Sequence, residues 1–151
     1  MSNKIVCVDL DGVLAKLDKW EGVERFGPVI PGARFFLEEL RRKGFRIIIH
    51  TVRCSPDVNP PIEEGNLPSG PKWLPGGRVA FWTTYLVDLV RQWLTENDLP
   101  FDEIWSGRGK PLADIYIDDR AVGCRPQDDP EAFKNAVLRA QGVVHKLEID
   151  Q

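Results

Sequence analysis

The chain has 151 residues, 42% of them hydrophobic, and a formal net charge of −3. That is enough to bury one core, and too near balance for a global field to draw in nucleic acid or an anionic membrane. Its three cysteines show no metal-site spacing, the N-terminal apolar run is too short and too acid-flanked for a secretory signal, and no stretch approaches a membrane span. A single domain over 1–151, cytoplasmic and with reduced thiols, is the expectation.

Lys4-Ile5-Val6-Cys7-Val8 reads as a buried strand that runs straight into Asp9-Leu10-Asp11-Gly12. Asp9 is thereby placed at a strand's carboxyl end, where open α/β sheets bind ligands, and Gly12 lets the chain turn at once. Pro31 opens a helix through Lys43 with Ala33, Phe36, Leu37 and Leu40 inward, stopped at Gly44. Phe45 to His50 forms the next strand and delivers Thr51. Alternation puts His50 on the face opposite Thr51, as a packed histidine. Arg53 follows on the Thr51 side, either as a phosphate contact or as a surface residue.

Residues 54–82 hold six of the twelve prolines and four glycines, which excludes regular structure and predicts a long loop insertion. Its Trp73, Phe81 and Trp82, with Lys72 and Arg78, either stack a ring of a substrate or anchor the loop to the body. A helix from about Thr83 to Asn97 follows, with Leu86, Leu89, Val90, Trp93 and Leu94 on one face. Glu103 to Ser106 forms a short strand leading to Lys110. Ile115-Tyr116-Ile117 is another short strand, delivering Asp118 and Asp119. Pro130 to Gln141 reads as a helix burying Phe133, Ala136, Val137 and Ala140 and ending at Gly142, with Val143 to Leu147 as a last edge strand. The alternation predicts an α/β fold with a doubly wound, Rossmann-like parallel sheet.

Four polar signals therefore arrive at strand ends in order: Asp9 with Asp11, Thr51, Lys110, and Asp118 with Asp119. In this order the chain resembles the haloacid dehalogenase superfamily of phosphatases, across nearly its whole length. Asp9 and Asp11 match the first motif, Thr51 the second, Lys110 the third and Asp118-Asp119 the fourth. Within the superfamily it is most similar to small capless proteins whose fourth motif reads Ile-Asp-Asp-Arg, here Ile117 to Arg120. The 15–30 stretch is too short for a cap domain, which leaves the 54–82 loop as the expected cover of the site.

The residue types support phosphoryl chemistry on their own. A carboxylate such as Asp9 can attack a phosphoryl group and form an aspartyl phosphate. Crowded carboxylates around that group need a hard cation, and Mg²⁺ suits Asp9 and Asp118 as ligands, with Asp11 and Asp119 close by. Asp11 is the candidate general acid and base, the role the resemblance gives the second acid. Thr51 and Lys110 would bind the phosphoryl oxygens. The expected function is a Mg²⁺-dependent phosphomonoester hydrolase acting on a small-molecule ester, with a nucleotide or a nucleic-acid end as other substrates. The alternative is a phosphate-binding or regulatory module of weak turnover. A phospho-accepting receiver fits less well, because it would carry its acidic pair on the first strand and its phosphorylated Asp on a middle one.

Overall fold

A computed structural model describes residues 4–55 and 77–149. β1 (Lys4–Val8), β2 (Phe45–Ile49), β3 (Glu103–Ile104) and β4 (Ile115–Ile117) form one all-parallel sheet in the order β3-β2-β1-β4. The chain first builds outward from β1 through β2 to β3, then crosses to the other side of β1 to add β4. This is the doubly wound, Rossmann-like α/β arrangement, and its strand order reverses between β1 and β4.

The buried face of the sheet explains the strand sequences. Val6 and Val8 of β1 pair in register with Ile47 and Ile49 of β2, and all four are fully buried. β-branched side chains fit such a pleated, covered surface. Helices α1 (Ala33–Arg42) and α2 (Gly77–Glu96) close over it, with Leu37 from α1 and Val90 and Leu94 from α2 in the same cluster. α1 starts after Gly32, whose φ of 92° lets the chain swing into the helix, and basic Arg41 and Arg42 occupy its last turn.

Several expectations need correction. The 54–82 loop is shorter than its composition suggests: Val52–Cys54 forms a single 3₁₀ turn, and α2 already begins at Gly77. Residues 56–76, which include Trp73 and Lys72, lie outside the described residues. At the other end, α3 runs from Ala132 to Ile149, straight through Gly142 and over the segment expected to be an edge strand. A helical glycine costs only about 1 kcal/mol relative to alanine, so it does not compel a stop. Phe133 and Val137, expected inward on that helix, are 68% and 59% exposed.

Between β1 and α1 the chain makes a closed excursion. Lys16 N donates to Pro28 O and Ile30 N to Leu14 O, so the base of the 16–28 segment is zipped shut. Phe26 stacks on Trp93 of α2 at 5.9 Å, and Tyr85 donates to Glu24 at 2.6 Å, which fastens the excursion to the helix.

Candidate functional site

Strand register assembles the site. Val8, Ile49 and Ile117 end neighbouring strands side by side, and the ladder continues one residue further: His50 N donates to Val8 O, Asp9 N to Ile117 O, and Trp105 N to Ile49 O. Trp105, His50, Asp9 and Asp118 therefore form one row across the carboxyl edge, with Asp9 and Asp118 flanking the point where strand order reverses. The cleft above it measures about 1030 Å³ and is lined by Asp9, Asp11, Thr51, Lys110 and Asp118, among others.

Asp9, Asp118 and Asp119 bring carboxylate oxygens within 4.8 Å of one another. Asp119 reaches this position because Gly12 has no side chain: a Cβ there would lie 2.7 Å from Asp119 Cγ, and the φ of 86° at Gly12 also favours glycine. Asp118 Oδ1 accepts from Arg120 N and Asp9 Oδ1 from Leu10 N, each at 2.8 Å, which fixes both carboxylates. Burial pushes the Asp9 carboxyl from an ordinary 3.8 up to about 7, with Asp118, Asp119 and Asp11 adding repulsion against the opposing Leu10 hydrogen bond. Three crowded hard oxygen donors, two of them exposed enough to leave room for waters, are the donor set a Mg²⁺ ion takes.

Thr51 is buried and caps the 3₁₀ turn, its Oγ1 accepting from Arg53 N at 3.2 Å. Its hydroxyl proton remains available to a ligand. Lys110 places Nζ 3.7 Å over the Tyr116 ring, a contact that holds an exposed cation at the cleft wall.

No family model matches the chain, and no curated protein matches it. Among solved structures it is similar to a conserved protein coded by a locus of Bacteroides thetaiotaomicron, at 22% identity over 88% of this chain and 91% of that one, with a TM-score of 0.48. It is also similar to a crystallised target protein from Vibrio cholerae, at 27% identity over 90% and 98% of the two chains, with a TM-score of 0.46.

Two sequence expectations about the site change. Arg53, a candidate phosphate contact or surface residue, is not on the surface. It is 2% exposed, and both oxygens of Asp11 accept from its guanidinium, from Nε at 2.7 Å and from Nη2 at 2.9 Å. Nη1 donates to the Gly22 and Val23 carbonyls at 3.0 and 2.7 Å, while the group lies over the rings of Trp20 and Phe26 at 4.6 and 4.4 Å. Asp11, expected near the metal, stands outside the Asp9–Asp118–Asp119 cluster because Arg53 holds it.

Other cleft residues were not anticipated. His50 lines the cleft beside Asp9 rather than packing away from it, and burial holds its imidazole below the ordinary value, helped by Lys110 and opposed by Asp118. Leu17 and Trp20 from the 16–28 excursion form one wall, so the 54–82 segment is not the sole candidate for cover. Arg120, which closes the Ile-Asp-Asp-Arg motif, lines the cleft as well.

Proposed function

We propose that the protein is a Mg²⁺-dependent phosphomonoester hydrolase acting through an aspartyl phosphate on Asp9. The observation that carries this reading is the placement of Asp9 beside Asp118 at the strand-order reversal, with Asp119 within 4.8 Å and Thr51 and Lys110 on the same cleft. Asp9, Asp118 and Asp119 would hold the ion, which supplies charge neutralisation to the phosphoryl oxygens and to the carboxylates around them.

Asp9 is positioned by the strand ladder and by Leu10 N, so one oxygen is steered and the other is free to attack phosphorus. In the first step the bond from Asp9 to phosphorus forms, the bond from phosphorus to the ester oxygen breaks, and Asp11 gives a proton to the departing oxygen. In the second, water attacks the same phosphorus, the bond to Asp9 breaks, and Asp11 takes the water's proton. Thr51 and Lys110 donate to the transferring oxygens as charge grows on them. His50, held neutral by its burial, offers a hydrogen bond without adding charge. A small-molecule phosphomonoester is the substrate class of this reading, with nucleotides and phosphorylated oligonucleotide ends as its larger members.

The test is a panel of phosphomonoesters, comprising nucleotides, sugar phosphates and end-phosphorylated oligonucleotides, assayed with Mg²⁺ and with excess chelator. Hydrolysis that needs the metal and leaves acid-labile phosphate on wild-type protein but not on Asp9→Asn supports the reading. Full activity in chelator, or turnover by Asp9→Asn near the wild-type rate, sinks it.

A further inference from the structure

Arg53 is thoroughly bonded beside the cleft, yet the phosphoryl chemistry gives it no task. Four hydrogen bonds leave its guanidinium: two to Asp11 and two to the carbonyls of the 16–28 excursion. The group also lies over the rings of Trp20 and Phe26 from the same excursion, at 4.6 and 4.4 Å from their centroids. Phe26 is itself fixed on Trp93. The planar fork can therefore sit in one orientation, and Asp11, bound in bidentate fashion, inherits it. Each Asp11 oxygen keeps a second lone pair beyond the one Arg53 occupies, and Asp11 still lines the cleft. Without this fork Asp11 would be drawn toward any cation held by its neighbours at Asp9, or would rotate away from the leaving group.

Resting on the proposed phosphatase reading, we propose that Arg53 is a positioning residue. It couples the 16–28 excursion to Asp11, holding that carboxylate off the metal cluster and aimed at the leaving-group oxygen. Trp20, 46% exposed over the same guanidinium, completes the wall beside that oxygen. A role at the leaving group makes its loss selective. An alkyl phosphate needs a proton on its departing oxygen, whereas p-nitrophenolate departs without one.

The experiment measures kcat/KM, which reports the steps up to departure of the leaving group, for glycerol phosphate and p-nitrophenyl phosphate. Arg53→Met keeps bulk and removes the fork. It is expected to lower kcat/KM by about 100-fold on the alkyl ester, the scale of a misplaced acid, and by less than about threefold on the aryl ester. Asp11→Asn is expected to show the same selectivity, and adding Arg53→Met to it should cost nothing more on either ester. Arg53→Lys retains charge and much of the packing, and should show a smaller loss of the same kind; it decides the question if Arg53→Met does not fold. Equal losses on both esters in the folded Arg53 variants, or full additivity with Asp11→Asn, overturn the positioning role alone. A wild type that hydrolyses neither ester with Mg²⁺ overturns the phosphatase reading and this inference with it.

Discussion

Removing the Asp9 charge should stabilise the metal-free protein, and by an amount that depends on pH in a calculable way. The Asp9 carboxyl is raised from 3.8 to about 7 by burial first and then by Asp118, Asp119 and Asp11. A raised folded-state value means that stability is fully present below about 3.8 and is lost as pH rises through about 7. A shift of that size corresponds to ~4 kcal/mol at most. Asp9 is only part-buried, so solvent screening brings the figure to about 2 kcal/mol. Asp9→Asn does not titrate, so its stability relative to wild type should rise by about 2 kcal/mol between about pH 4 and about pH 8, or roughly 4–8 °C in Tm for a chain of this size. Any fixed loss from the altered hydrogen bond to Leu10 N cancels in this comparison across pH. Urea unfolding in chelator at the two pH values measures it. Saturating Mg²⁺ at the higher pH should erase the advantage, because the wild type then gains ligand stabilisation that the variant largely lacks. A wild-type-to-variant difference that stays constant across the window would refute the idea that Asp9 is a buried, repelled carboxylate.

Other outcomes follow from the same geometry. Gly12→Ala should cost about 1–3 kcal/mol through its positive φ and displace Asp119, so that half-maximal activity requires more Mg²⁺; an unchanged Mg²⁺ titration would show that Asp119 has no part in holding the ion. Asp11→Asn should lose most turnover while still forming phospho-Asp9 from an activated ester, whereas Asp9→Asn forms none, as read by denatured-protein phosphate counts. Burial pushes the Cys7 thiol up to about 11 and the Cys54 thiol up to about 12, while Cys124 is exposed, so a native protein treated with iodoacetamide near pH 8 should carry one adduct by mass spectrometry. A second adduct before unfolding would mean that one of the two buried thiols is reachable.

The strands were legible because their apolar runs are short, β-branched and bounded by polar ends, and that pattern places Asp9, Thr51 and Asp118 near one edge without further information. The α1 and α2 faces were legible for a similar reason, since Leu37, Leu86, Val90 and Leu94 recur at helical spacing and are buried. Arg53 was not. Its partner lies 42 residues away, and nothing local distinguishes a buried guanidinium from a surface one. His50 was not, because facing away from Thr51 does not decide which face borders the cleft; the ladder carries His50 one residue past β2, level with Asp9, and both line it. The C-terminal helix was misread because Gly142 and the following β-branched pair look like a boundary, and a continuing helix tolerates both at modest cost.

β1 and β4 are joined across a long stretch of chain: Ile5 N donates to Asp114 Oδ2 at 2.7 Å, a separation of 109 residues. Closing so large a loop is entropically slow, and the pairing of Asp9 with Asp118 cannot precede it. A nascent chain lacking its last third therefore carries only Asp9 of the three clustered carboxylates and has no place to concentrate a divalent ion. In the finished molecule, an ion held across that seam would join the first strand to the last and act chiefly on the rate at which β4 detaches. The native protein would then unfold more slowly in Mg²⁺ while refolding at an unchanged rate, so the charged seam would set the lifetime of the fold.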